Sequence, residues 1–408
     1  MAVIGPSENS PDKEAIKAKS PNRHASPVAE NYKVFIEELS KWVNQSFFTW
    51  VTTSAGTTMP MPNFKRNSTF GGLTGEISKY LCPYKQPTKY HNVNSMNRDD
   101  FKVALKSKKF GDFVAMYRPF WNTGGEMGNW DEELISLLPD SCKIFASAGA
   151  GFDWVDTKAM AKKGVVYCNA AAACTESVAD VALYLIISTF RRLPWSAIAA
   201  RSGNVDQFVD ANRNLAMVSR NPSGHTLGIV GYGRIGRRIA EKAHRALDMK
   251  ILYNDIVRMP ESIEAETKAV YEKELEGLLA KSDCVVVATP FGGDKLLSGP
   301  LFSKFKKGSR IINIARGKLI DEAALVEALK SGHLAGAGLD VFEYEPKVSP
   351  ELAAMNNVEL LSHNAGASVD SHIGFEAMGM QNITSYFDTE KAISPVNLQF
   401  FDKKASRL

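Results

Sequence analysis

The sequence predicts an α/β protein of two doubly wound parallel-sheet domains, the first of them discontinuous and preceded by a disordered leader. Three observations carry this. The chain has 408 residues, more than a single hydrophobic core usually organises, so two domains are expected. From Asp99 onward, short apolar runs alternate with helical periodicities, the pattern of a parallel sheet covered on both faces. Residues 1–30 are rich in Ser, Pro, Lys, Asn and Glu and almost free of aromatics, which argues against a packed structure there.

Between residues 31 and 98 the pattern is weak. Residues 32–42 read as a helix and 48–52 as a short strand, while 57–72 has no period. Beyond it, 101–106 and 131–138 are helical, and 113–117, 143–146 and 165–168 are extended. A long apolar helix is expected over 175–190, followed by a polar segment, 191–225. A second series then begins, with extended runs at 227–230, 251–253, 284–288, 310–314, 336–339 and 358–361. Most of these are continuously apolar, as strands buried on both faces are. Helices fit between them at 235–247, 271–280 and 322–330. The boundaries that follow are 31–173 for the first domain, 174–367 for the second, and 368–408 for a return to the first.

Composition excludes several function classes. The net charge is +4, with 49 basic and 45 acidic residues interspersed, so neither nucleic acid nor an acidic surface is an expected partner. No apolar run is long enough to span a bilayer, and the N-terminus lacks a signal-type apolar core. The five cysteines (Cys82, Cys142, Cys168, Cys174 and Cys284) are odd in number and without metal-type pairing, so no metal is expected and a reducing compartment fits.

Gly231-Tyr232-Gly233-Arg234-Ile235-Gly236 matches G-x-G-x-x-G. The hexamer alone is weak, but here it follows an apolar strand and opens an amphipathic helix, the context a dinucleotide requires. Gly231 permits the tight turn, Gly233 the approach of the pyrophosphate, and Gly236 close packing of the helix on the strand. The helix N-terminus, with Arg234 and Ile235, offers N–H groups to phosphate. Asp255 ends the next strand about 20 residues after Gly236, the spacing of an acid that binds the adenosine ribose hydroxyls. A carboxylate there repels a 2′-phosphate, so NAD is expected over NADP. Two readings compete with this: Asp255 as an ordinary turn residue, and Arg258 as a cation that neutralises a 2′-phosphate. The second domain is thus expected to be Rossmann-like.

Three further residues sit where open α/β sheets bind ligands, past the carboxyl ends of strands. Arg316 follows the run 310–314, and a guanidinium there can grip a carboxylate with two donors and polarise a ketone. His363 follows the run 358–361 and precedes small residues, Ala365, Gly366 and Ala367. Glu345, before Pro346, would stabilise the His363 imidazolium and select its tautomer if the two pair. Taken singly, each has an ordinary alternative: a surface ion pair, a solvated turn or a helix cap. Their joint placement carries the argument.

Six segments together resemble the D-2-hydroxyacid dehydrogenase family: Ser147-Ala-Gly-Ala-Gly-Phe-Asp153, Thr175-Glu-Ser-Val-Ala-Asp180, the glycine motif, Ile312-Asn-Ile-Ala-Arg-Gly-Lys-Leu-Ile-Asp321, Gly338-Leu-Asp-Val-Phe-Glu-Tyr-Glu-Pro346 and His363. Gly-Ala-Gly-Phe-Asp-Trp154 is most similar to the fungal D-mandelate dehydrogenase branch. The resemblance spans about residues 99–390. It implies a hydride-transferring oxidoreductase acting on a 2-oxo or 2-hydroxy acid with NAD, with Arg316, Glu345 and His363 as its catalytic triad. It implies that Ala150 and Gly151 face the substrate carboxylate, that Thr175, Thr289, Pro290, Ala315 and Asp340 belong with the cofactor, and that the chain is a homodimer with its active site in the interdomain cleft. For Thr175 and Asp340 a capping or turn role competes. Phe120, Trp121, Phe152 and Trp154 are candidate aromatic walls, and Arg118 a second substrate contact. The family's usual Asn-Thr-Pro-Gly is here Asn169-Ala-Ala-Ala-Ala173. Ser362 replaces the usual Pro before the histidine, and Asn364-Ala365 the usual Ile-Gly after it, which bears on the tilt of the imidazole. A dinucleotide-sensing corepressor on the same scaffold, like the C-terminal-binding proteins, is the rival reading, since such proteins keep the same triad. The terminal Ser406-Arg407-Leu408 is close to the peroxisomal Ser-Lys-Leu address; the alternative is a cytoplasmic enzyme.

Overall fold

A computed structural model describes residues 97–118 and 128–401. The leader, the elements expected over 32–42 and 48–52, Phe120, Trp121, Cys82 and the C-terminal tripeptide lie outside the described residues. The chain divides into two compact units, one comprising Met1–Ala173 with Val369–Leu408, the other Cys174–Ser368. No helix among the described residues is long and apolar enough to cross a membrane.

In the first unit the described elements are α1 (Arg98–Lys106), β1 (Ala115–Arg118), α2 (Glu132–Ser136), β2 (Ile144–Ser147), α3 (Thr157–Lys162), β3 (Val166–Cys168) and, after the second unit, α13 (Val369–Thr389). The helices start where short polar side chains satisfy free N–H groups. Asn97 accepts from the Asp100 N–H, Asp131 from Leu134, and Asp156 from Lys158 and Ala159. The strands form a parallel sheet in the order β1-β2-β3, with Tyr117 opposite Ala146 and Phe145 opposite Tyr167. Strand residues alternate faces, so each face has its own core. Phe101, Met116, Trp130, Phe145 and Tyr167 pack on one side; Tyr117, Ala146 and Cys168 meet Met380 and Ile383 of α13 on the other. The returning segment is fastened by the buried Asn397, whose side chain accepts the Tyr167 N–H and donates to the Val165 carbonyl, standing in for a neighbouring strand.

The second unit runs α4 (Thr175–Arg191), α5 (Leu193–Arg201), α6 (Val205–Val218), β4 (Thr226–Val230), α7 (Arg234–Leu247), β5 (Lys250–Asn254), α8 (Glu261–Thr267), β6 (Val270–Tyr271), α9 (Leu275–Lys281), β7 (Cys284–Val287), α10 (Gly299–Phe302), β8 (Ser309–Asn313), α11 (Glu322–Lys330), β9 (Leu334–Leu339), α12 (Pro350–Ala354) and β10 (Val358–Leu360). Its seven strands are all parallel, in the order β10-β9-β8-β7-β4-β5-β6. The order therefore reverses between β4 and β7, the switch point where doubly wound sheets open a crevice at their carboxyl ends.

The structure corrects two readings of the sequence. The polar segment 191–225, to which the sequence assigned no element, contains α5 and α6. Pro194 opens α5, and the Asn204 side chain caps α6 by accepting from Asp206 and Gln207, yet only Ala211 of α6 is buried. A helix held by caps and one neighbour, its apolar residues facing outward, shows no core-facing period to find. The helix expected over 271–280 starts only at Leu275, because Val270 and Tyr271 pair with Leu252 and Tyr253 as an edge strand. The ring of Tyr271 packs on Tyr253 across that pair, a long-range contact that overrides local preference. The short helices α3, α8, α10 and α12 carry too few turns for a period to register.

Candidate active site

The dinucleotide motif forms the turn from β4 into α7, at the switch point. Gly231 has φ +93°, and a Cβ there would stand 2.8 Å from the backbone of Ala288 and Thr289 at the end of β7. Thr289 and Pro290 thus lie directly beside the glycine turn. Gly236 packs so closely that a Cβ would meet the Gly231 carbonyl oxygen at 2.1 Å, whereas Gly233 faces open space. Gly233 caps α7 without any side-chain hydrogen bond, and Arg234 and Ile235 occupy its first turn, so the helix end keeps N–H groups for an anion. Asp255 accepts the Tyr232 N–H at 2.7 Å through Oδ2, which fixes its carboxylate over the turn; Oδ1 has no partner among the described residues. Ile256, next to it, is 98% exposed and offers an apolar surface at the crevice rim. Arg258 does not approach Asp255's role: its guanidinium grips Glu264 with two hydrogen bonds of 2.9 Å. A steep glycine turn, an uncapped helix end and a held carboxylate fit NAD.

Arg316 and Ala315 lie just past β8. The buried Asn313, the last residue of that strand, ties their turn: its Nδ2 donates to the Arg316 carbonyl at 2.9 Å and its Oδ1 accepts the Ala315 N–H at 3.1 Å. The Arg316 guanidinium donates to the Ala315 carbonyl at 2.8 Å. Gly317 then presses against the loop that bears Glu345, where a Cβ would stand 1.9 Å from the Phe342 carbonyl carbon and oxygen. Two carboxylates staple the same approach, since Glu343 accepts the Glu322 N–H and Glu322 accepts the Glu343 N–H.

His363 and Glu345 meet. Nδ1 of His363 lies 2.7 Å from Oε2 of Glu345, and Oε1 of Glu345 accepts the Phe342 N–H at 2.9 Å. Burial pushes the Glu345 carboxyl up, but the His363 hydrogen bond, the Phe342 N–H and the charges of His363 and Arg316 outweigh it and leave it below the usual carboxylate range. The last of these contributions places Arg316's charge within electrostatic reach of the pair. His363 sits in left-handed backbone, φ +54°, uncommon for a residue with a side chain. That conformation is held from below by Asp340, whose carbonyl accepts the His363 N–H at 2.8 Å and whose carboxylate accepts the Asn364 and Ala365 N–H groups. Asp340 is 1% exposed, so the structure gives this residue a turn-holding duty beneath the imidazole. Asn364-Ala365, which departs from the family pattern, supplies the two donors. Thr175 is the first helical residue of α4; Cys174 occupies the cap position, without a side-chain bond, so Thr175 is not the helix cap.

In the first unit, the loop after β2 carries Ala150 and Gly151. Its carbonyls are tied back: Gly149 accepts the Ala170 N–H at 2.9 Å, Ala150 accepts the Asn169 side-chain amide at 2.8 Å, and Gly151 accepts the Trp154 indole at 3.2 Å. In a trans peptide the N–H points opposite to the preceding carbonyl. The Ala150 and Gly151 N–H groups are therefore turned the other way, and neither has a partner among the described residues. Asn169 is the residue the sequence did not mark for this work; an Asn near a small-residue loop is too common to signal it. Phe152 and Trp154 are half-buried beside the loop, and Arg118 lies 4.1 Å above the Trp154 ring.

Residues 183–365 match the model of the D-isomer specific 2-hydroxyacid dehydrogenase NAD binding domain. The structure is similar to that of D-mandelate dehydrogenase from Rhodotorula graminis, with 38% identity, a TM-score of 0.74, and coverage of 82% of this chain and 95% of that one. The 4-methyl-2-oxopentanoate reductase A of Aspergillus oryzae is 33% identical over 74% of this chain and 89% of its own length. A glyoxylate reductase of Thermococcus gammatolerans is 37% identical over 65% of this chain and 79% of its own. These relatives are named for turnover, and none supports a corepressor. With the glycine crevice and the joined Glu345–His363 pair, they establish that this chain belongs to the D-isomer specific 2-hydroxyacid dehydrogenase family and is an NAD-dependent oxidoreductase.

Proposed function

We propose that the enzyme interconverts a 2-oxo acid and its D-2-hydroxy acid, with Arg316 as the substrate clamp, His363 as the acid/base and Glu345 as the group that holds it. The observation that carries this is the contact of His363 Nδ1 with Glu345 at 2.7 Å. An ionised carboxylate only accepts, so Nδ1 carries hydrogen and Nε2 is left to exchange a proton with substrate. The glycine turn, the N-terminus of α7 and Asp255 would hold the dinucleotide, which when bound would supply the redox chemistry, as hydride donor (NADH) for reduction and hydride acceptor (NAD+) for oxidation. In reduction, His363 gives the Nε2 proton to the substrate oxygen; in oxidation, neutral Nε2 takes the hydroxyl proton. Arg316 holds the carboxylate with its paired donors and stabilises charge growing on the carbonyl oxygen. The outward N–H groups of Ala150 and Gly151 support their assignment to the substrate carboxylate. Arg316→Gln tests the reading: kcat/KM falls roughly 10²–10³-fold, the scale of losing one charge-stabilising donor, while NADH affinity is kept. Near-normal kcat/KM in this variant refutes it.

Half-buried Phe152 and Trp154 beside the loop favour a 2-oxo acid with a branched or aromatic side chain over glyoxylate. The relatives named for mandelate and 4-methyl-2-oxopentanoate point the same way, and the glyoxylate reductase the other. An NADH-oxidation screen across glyoxylate, hydroxypyruvate, branched-chain and phenyl 2-oxo acids and benzoylformate decides between them. A homodimer is supported by the outward apolar residues of α5 and α6, with Ile198, Val205, Phe208 and Met217 exposed by 57%, 74%, 55% and 79%. Ser406-Arg407-Leu408 supports a peroxisomal address, with the cytoplasm as the alternative.

A further inference from the structure

Around Asp255 a network links four side chains. Tyr253 stacks on Tyr232 with ring centroids 4.2 Å apart, and the Tyr232 N–H is the one Asp255 accepts. The Tyr253 hydroxyl donates to Glu264 Oε1 at 2.6 Å and accepts the Met259 N–H at 2.8 Å, which pins the loop between β5 and α8. Glu264, on α8, is 9% exposed and takes both guanidinium donors of Arg258, whose side chain is 57% exposed. Arg258, mainly through its hydrogen bonds and then Tyr253, brings the Glu264 carboxyl down to about 2, so it stays ionised at working pH.

We infer that Glu264 sets the dinucleotide preference of this enzyme by engaging Arg258, so that Asp255 acts on the ribose 2′ position without a compensating cation. The inference rests on reading Asp255 as the ribose-binding acid. The physical asymmetry is in burial. A carboxylate with little solvent of its own needs its ion partner more than a half-exposed guanidinium does, so Glu264 keeps Arg258. Arg258 is three residues past Asp255 on a loop and has a side chain long enough to turn. Released, it is the cation that would answer a 2′-phosphate with paired donors. Glu264 is a positioning residue, acting on cofactor choice through Arg258.

The test is direct titration of NADH and NADPH by nucleotide fluorescence, with the unaltered enzyme, Glu264→Gln, Arg258→Ala and the double variant. Glu264→Gln keeps the side-chain volume and an acceptor for Tyr253 but removes the charge. The unaltered enzyme binds NADH the more tightly. In Glu264→Gln the NADPH Kd falls about tenfold relative to the NADH Kd, as expected for one new charged contact. Arg258→Ala leaves the original ratio, and the double variant returns to it. A merely structural role for Glu264 weakens both nucleotides together. An unchanged ratio in folded Glu264→Gln overturns the inference, as does a gain that survives in the double variant. If Glu264→Gln does not fold, Arg258→Lys, which keeps a cation but loses the two-pronged grip, is read instead; a several-fold relative gain in NADPH supports the inference and an unchanged ratio overturns it. Tighter binding of NADPH by the unaltered enzyme would instead overturn the Asp255 reading beneath it.

Discussion

Replacing Glu345 by Gln removes a charge while nearly keeping the side-chain volume; the single amide oxygen can still accept Nδ1–H of His363, at the cost of the Phe342 N–H that the other carboxylate oxygen accepts. Coulomb attraction at 2.7 Å would amount to roughly 6 kcal/mol at an effective dielectric constant of about 20. That overstates the effect. The His363 and Glu345 side chains are 45% and 34% exposed, and water screens a pair so placed. The better measure is the difference between a charge-assisted and a neutral hydrogen bond, about 1–1.5 kcal/mol. The sign follows from which form each direction uses. Reduction needs imidazolium, which the carboxylate stabilises, so the fall of kcat/KM with rising pH begins at lower pH in Glu345→Gln. Oxidation needs neutral imidazole, so its rising limb moves to lower pH as well. In the unaltered enzyme the Glu345 carboxyl lies below its usual range, so the pairing contributes stability above the unfolded value and loses it as pH falls through the lowered one. The assay is kcat/KM against pH in both directions. A reduction limb that stays in place or moves up, or limbs that move in opposite directions, refutes the coupling.

Other outcomes follow from particular contacts. Gly317→Ala places a methyl group 1.9 Å from the Phe342 backbone. It should cost about 1–3 kcal/mol or more and lower both Tm and activity; an unchanged melting curve would contradict the close approach. In the proposed homodimer, Phe208→Asp on the exposed face of α6 should leave the chain folded but shift light scattering from dimer to monomer; an unaltered enzyme that is already monomeric refutes the dimer, and a dimer that persists in the variant places its interface elsewhere. A fluorescent protein carrying the last dozen or so residues should give puncta on a peroxisomal marker and turn diffuse on deletion of Leu408; diffuse signal from both returns the enzyme to the cytoplasm.

Much of the second unit was legible along the chain. Buried parallel strands are runs of apolar residues whatever lies beside them, so β4, β5, β7, β8 and β9 stand out, and a glycine hexamer between a strand and a helix has few other uses. Arg316, Glu345 and His363 could be named because each follows a strand, and strand ends of a parallel sheet share one edge. What the sequence could not decide is what depends on groups far apart in it. Asn313 and Asp340 read as ordinary polar residues near strand ends; only packing makes one the tie of the Arg316 turn and the other the support of the His363 backbone. The outward N–H groups of Ala150 and Gly151 exist because the Ala170 N–H and the Asn169 side-chain amide pull the carbonyls of Gly149 and Ala150 away. α5 and α6 escaped notice because their apolar residues face outward, and Tyr271 because its partner is Tyr253 on another strand. Local order is written in short-range pattern, whereas the orientation of a catalytic group is set by hydrogen bonds that close only when distant segments fold against each other.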